Sequence, residues 1–225
     1  MSMLSRFASL GGINDPYWAN VVLMMPCNNF TDYSPTPKTV TSTGSTISTS
    51  PVKYGTGSIY NPTGSTYTTA ANSASQLSME TLDFTIEFWL YVTSWAGFKQ
   101  HVSTRTSNSP QMWGVDSRDD GTIYLHSSDY IVTSSAGHSL NAWNYVTFTR
   151  QSGVIKVYIN GVLEGTSTNM TLSGYNFVAD SGVGLGAGSA GYQGAPCYID
   201  ELRITKGVCR YTTNFTPPTG SLPIG

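Results

Sequence analysis

Acid–base chemistry would fall to few side chains here, because 225 residues carry only 13 acidic groups. Retaining hydrolysis of a glycosidic bond needs two carboxyls roughly 5 Å apart. On one strand that means alternate positions facing one cleft. Glu87 stands alone on its segment. Asp200 and Glu201 are adjacent, which sends them to opposite faces of a strand. Asp119 and Asp120 precede Gly121, where their ordinary task is turn geometry. No acid and nucleophile pair up, so the chain reads as non-enzymatic. No G-x-S-x-G elbow presents a nucleophilic serine. Gly184-Leu185-Gly186 opens no helix that could cradle a phosphate. His101, His126 and His138 lack metal-ligand spacing, and Cys27, Cys197 and Cys209 contain no C-x-x-C. The cysteines read as small core hydrophobes of a reducing compartment, with one disulfide left open.

The elements that would position these groups are written in period two. In FTIEFWLYVTSW (84–95), Phe84, Ile86, Phe88, Leu90 and Val92 point one way. Thr85, Glu87, Trp89 and Tyr91 point the other. WNYVTFTRQSGVIKVYINGVLEG (143–165) places Asn160-Gly161 between two apolar runs, a strong hairpin signal. Further strands are expected at 20–26, 57–60, 67–69, 101–105, 112–116, 122–126, 130–133, 183–187 and 198–205. The stretch 30–56 reads as weak strands and loops, and residues 70–82 as a connection with one helical turn. Trp89, Trp143 and Phe148 are assigned to core packing.

The totals fit a single all-β sandwich. Ser and Thr make up about a quarter of the chain, and charged residues only 11%. The surface must therefore be built from neutral polar groups. A net charge of −2 with no basic patch excludes phosphate-backbone binding. Arg203-Ile204-Thr205-Lys206 reads as the solvated side of a strand. No apolar run is long enough to cross a membrane as a helix. The first residues lack the apolar stretch of a signal peptide. Residues 1–16 read as an arm that docks on a neighbour, and 17–225 as one domain.

Five segments in order carry a resemblance: NVVLMMPCNNFTDYSPTPKTVT (20–41), KYGTGSIY (53–60), DFTIEFWLYVTSW (83–95), the hairpin above, and YIDELRITKGVCRYTTNFTPP (198–218). Together they resemble the concanavalin A-like lectin/glucanase superfamily in its laminin-G-like branch. The first and last look most like versions found in phage virion proteins.

The resemblance implies a jelly-roll sandwich of two curved antiparallel sheets, one concave. It pairs 20–26 with 198–205 and brings Cys27 towards Cys197. The closing segment reads as a sealing tail: Glu201 and Arg203 neutralise each other, and Tyr211 and Phe215 fold back onto the sandwich. On the concave face, Trp113, Asp116, Tyr124 and Tyr130 are the expected sugar-binding set. Asp116, Asp119, Asp120 and Asp129 are the expected set for calcium, which takes six to eight oxygens. The resulting expectation is a structural protein of a phage virion, a capsid decoration or head-fibre protein with weak glycan adhesion. The alternative is a tail-fibre module recognising host surface carbohydrate, and the remote alternative a glucanase. Capsid or tail proteins, host glycans and further copies of the chain are the expected partners.

Overall fold

Alternation of apolar and polar side chains builds two antiparallel sheets that face each other across one core. The computed structural model describes residues 15–71, 76–95, 97–105, 112–126, 130–167, 182–187 and 193–225. After a 3-10 turn at Trp18–Asn20 come β1 (Val21–Met25), β2 (Val40–Thr43), β3 (Thr46–Ser48), β4 (Ser58–Asn61) and β5 (Tyr67–Ala71). Next are β6 (Phe84–Tyr91), β7 (Lys99–Ser103), β8 (Gly114–Ser117), β9 (Thr122–His126) and β10 (Tyr130–Gly137). The chain continues with β11 (Trp143–Gln151), β12 (Val154–Ile159), β13 (Val162–Ser167), β14 (Gly182–Leu185) and β15 (Cys197–Lys206).

One sheet runs β13-β12-β11-β6-β15-β4-β3, with β1 added against β15. The other runs β10-β9-β8-β7-β14-β5-β2. Ile86, Phe88, Leu90, Val146 and Phe148 from the first meet Val102, Val115, Ile123, Leu125 and Leu185 from the second. Full burial of each such side chain stabilises the fold by about 1.5–3 kcal/mol. The first and last strands pair as expected, Leu23 opposite Ile204 and Met25 opposite Leu202. Cys27, Cys197 and Cys209 are free thiols. At the hairpin, Asn160 and Gly161 take φ of 52° and 79°, as a type I′ turn requires.

Residues 207–225 cover part of the outer face of the β6 sheet. Tyr211 stacks on Phe215 at 3.7 Å, and Phe215 meets Tyr158 edge-on at 5.4 Å. A Cβ on Gly161 would lie 1.9 Å from the Phe215 carbonyl oxygen, so the tail rests directly on the hairpin turn. The ionic partners differ from expectation. Arg203 is buried, so the 203–206 cluster is not a solvated face. Its Nε donates to Glu87 Oε1 at 2.7 Å, and its Nη1 to Asp15 Oδ2 at 2.9 Å. Arg210 donates to both Asp15 oxygens, and the Tyr145 hydroxyl donates to Glu87 Oε2 at 2.7 Å. A bulge between Asp200 and Arg203, with Glu201 at φ 51°, breaks the alternation that paired Glu201 with Arg203 on paper. Asp15, expected in the arm, thus belongs to the sealed face. Residues 1–14 lie outside the described residues.

Candidate functional site

The outer face of the β7-β8-β9 region carries the polar groups. Val102, Val115, Ile123 and Leu125 point inward to the core. Their neighbours must then point outward. Register places Gln100 opposite Asp116, Asp116 opposite Tyr124, and Tyr124 opposite Thr133. Residues directly opposite share a face, so these form one row across four strands. The adjacent row is Ser103, Gly114 and His126. Gly114 has no side chain to raise, and a Cβ there would lie 2.7 Å from Asp116 Oδ1 and 2.8 Å from Ser103 Oγ.

Asp116 is the centre of the row. Arg105 Nη1 stands 3.6 Å from its Oδ2, and His126 Nδ1 4.0 Å away. Arg105 Nη1 also contacts His126 Nδ1. Burial pushes the Asp116 carboxyl up to about 7, against the opposing pull of Arg105 and of a hydrogen bond with Tyr124. Three hydrogen-bonding atoms of this row are buried without a partner: Asp116 Oδ1, Gln100 Oε1 and Gln100 Nε2. Native proteins leave few such atoms, and each calls for a reason. His126 keeps 17% of its side chain exposed and marks where the cluster meets solvent.

Of the expected sugar-binding set, Asp116 and Tyr124 are brought together. Trp113 is not with them. It is fully enclosed in the core, because its position before β8 turns it inward with Val115, and it offers no ring face to a ligand. Tyr130 is opposite His126 in register, and its side chain lies outside the described residues. Gln100, Arg105 and His126 were missed. Their signal is register, since a bulge between Gln100 and Val102 is what aligns Gln100 with Asp116.

The expected calcium set does not fit. Asp116 sits beside a guanidinium, which repels a cation. Asp120 Oδ1 is already taken by the Thr122 N–H and hydroxyl at 2.9 and 2.6 Å. Asp119 is exposed on the same turn, and Asp129 lies outside the described residues. Among the described residues, no group of three His, Cys, Asp or Glu gathers to hold a metal. Asp200 and Glu201 are committed to structure. Asp200 Oδ2 accepts from the Lys53 and Tyr54 N–H groups, and Glu201 Oε2 from that of Leu222.

A family model described as the concanavalin A-like lectin/glucanases superfamily, Laminin_G_3, matches residues 62–210. No curated protein sequence matches the chain. Several solved structures are similar. The binding domain of Paraclostridial Mosquitocidal Protein 1 aligns at TM-score 0.67 and 17% identity, over 84% of this chain and 49% of that one. Domain 4 of AbnA, a GH43 extracellular arabinanase from Geobacillus stearothermophilus solved in complex with arabinotriose, aligns at TM-score 0.61 and 17% identity, over 84% and 94%. The binding domain of botulinum neurotoxin serotype C1 aligns at TM-score 0.63 and 16% identity, over 85% and 50%. At such identities the likeness is one of fold. The chain spans about half the length of the two toxin binding domains and nearly all of the arabinanase domain.

Proposed function

Because the chain belongs to the concanavalin A-like lectin/glucanases superfamily through its Laminin_G_3 family, we propose that it is a non-enzymatic module that binds carbohydrate on the outer face of its seven-stranded sheet. One observation carries this reading: the orphan atoms of Gln100 and Asp116, side by side in one outward row. A buried polar atom without a partner costs about 1–3 kcal/mol. A sugar hydroxyl both donates and accepts. Two hydroxyls of one sugar can donate to Asp116 Oδ1 and Gln100 Oε1, and either oxygen can accept from Gln100 Nε2. Asp116 has no second carboxylate beside it in the described part of the row, so it holds a ligand rather than sharing two-carboxylate hydrolysis. The arabinotriose complex of the AbnA domain supports the ligand class, as does the dependence of botulinum neurotoxin type C cell entry on two ganglioside molecules.

The finer part of the proposal places the module on a phage virion, as a capsid decoration or head-fibre protein, in several copies. What supports it is the resemblance of segments 20–41 and 198–218 to virion proteins. A tail-fibre module reading host surface glycans is the alternative placement.

Gln100→Met tests the ligand reading, because it removes both orphan amide atoms while keeping the side chain's length. On an oligosaccharide array that includes arabinose, glucose, galactose and sialylated glycans, the wild type should bind and the variant should lose at least tenfold. Its melting temperature should hold or rise. Equal binding by the variant, or no binding by the wild type at high concentration, would sink the proposal.

A further inference from the structure

Four aromatic residues line up on the opposite side of the molecule, and the site described above uses none of them. Register sets Tyr60 opposite Tyr198, Tyr198 opposite Tyr91, and Tyr91 opposite Trp143. These are directly opposed positions on β4, β15, β6 and β11, so they share the outer face of the eight-stranded sheet. Three strand spacings make the strip roughly 14 Å long. Tyr60 and Tyr198 stack at 4.3 Å and 13°. Tyr91 turns edge-on to Tyr198 at 5.7 Å and 88°, and Trp143 tilts against Tyr91 at 5.6 Å and 59°. All four are half-buried. Trp143, expected in the core, is therefore a surface residue. The next row along, Asp200 and Trp89, is covered by Lys53 and Tyr54, and Pro218 of the tail accepts from the Tyr54 hydroxyl. The strip is what that cover leaves open.

We infer that this strip is a second carbohydrate-binding surface, taking a neutral glycan chain laid across the strands. It stands on its own observations and not on the Gln100 row. Among the described residues, no charged side chain lies in the strip, and Thr46, Thr93 and Pro196 are its exposed flanks. That matches an uncharged ligand. A cleft of about 60 Å³ opens between Tyr60, Tyr91, Tyr198, Thr93 and Pro196. A cleft of that size admits a group no larger than a hydroxymethyl. Tyr60, Tyr198 and Tyr91 are paired on both sides by neighbouring strands, so no backbone group is left to bind a peptide strand. One row of half-buried rings falls well short of the ~800 Å² per partner of a stable protein interface, which disfavours a second copy.

The test uses the full chain in native gels containing arabinan, mixed-linkage β-glucan, mannan or starch. At least one polysaccharide should retard the wild type, and Trp143→Ala and Tyr60→Ala should each weaken retardation at least tenfold. N-bromosuccinimide footprinting supplies a readout that needs no variant: the retarding polysaccharide should protect Trp143 from oxidation and leave the exposed Trp95 reactive. If Gln100→Met abolishes retardation and both strip variants keep it, the strip inference fails and the proposed function stands. The reverse pattern supports the strip and removes the reading built on Gln100. Three outcomes also overturn the strip: no wild-type retardation in any gel, no protection of Trp143, or a dimer or proline-rich peptide complex that Trp143→Ala dissolves.

Discussion

Asp116 is fully buried beside one guanidinium, and the balance of those two influences fixes how the protein responds to pH. Burial wins, and the carboxyl rises to about 7. The folded state then binds a proton that the unfolded chain, with an ordinary aspartate near 3.9, has already released. A group raised in this way gives its full stabilisation below about pH 4 and loses it as pH climbs through about 7. Asp200 is raised to about 7 by the same cause, so wild-type stability alone cannot isolate either residue. The difference between Asp116→Asn and wild type can. That difference should move in favour of the variant between pH 4.5 and pH 8. Each pKa unit is worth about 1.4 kcal/mol, and about 1 kcal/mol moves the midpoint of a domain this size by roughly 2–4 °C. The relative melting temperature should therefore rise by several degrees across that range. A difference that stays flat with pH would mean that Asp116 ionises like a surface aspartate. Asp116 and Tyr124 could be read from the sequence because both stand at outward positions of alternating segments. Gln100 could not, since its facing depends on a bulge that leaves no mark in the residue pattern.

Among the elements, β6 and β15 form the spine of the eight-stranded sheet, and the charges on their outer faces must be matched across them. Glu87 and Arg203 are directly opposite in register and nearly inaccessible to solvent. Removing one partner of such a pair leaves a stranded buried charge, at about 3–5 kcal/mol. Arg203→Met should cost up to that much in urea unfolding. Glu87 loses its nearest cation and keeps only the Tyr145 hydroxyl and the more distant Arg210 at 3.7 Å, while Arg210 is left as the one cation for Asp15. Adding Glu87→Gln should recover most of the loss. A cost below about 1 kcal/mol for the single variant would show that water screens the pair. The sequence suggested Glu201 as the partner of Arg203, because neighbours two apart on a strand share a face. The bulge at Glu201 overrides that rule, and Glu87 lies 116 residues away in the chain. The long alternating strands were legible for the opposite reason, having one face in the core and one outside. β2 and β3 carry mostly exposed Ser and Thr at the sheet edges, so no alternation marks them.

The whole molecule pairs a well-packed interior with a surface sparse in charge. Net charge is −2, and charged residues are 11% of the chain. Several of these few charges are spent inside: Glu87, Asp15, Arg203, Asp116 and Arg105 are all buried. Long-range steering and salt-sensitive docking need clustered surface charge, and this surface has little to give. Any attachment to a particle must then rest on shape, apolar contact and neutral hydrogen bonds. If the virion placement is right, purified phage particles carrying the protein should retain it through washing in 0.5 M salt. Cryo-EM of those washed particles should show sandwich-sized density repeated on the capsid lattice. Density confined to the tail would move the protein to the receptor-binding placement and make host glycans the ligands to test. Loss of the protein in the salt wash would contradict this mode of attachment, because an interface that dissolves at high ionic strength draws on clustered charge, of which this surface has little.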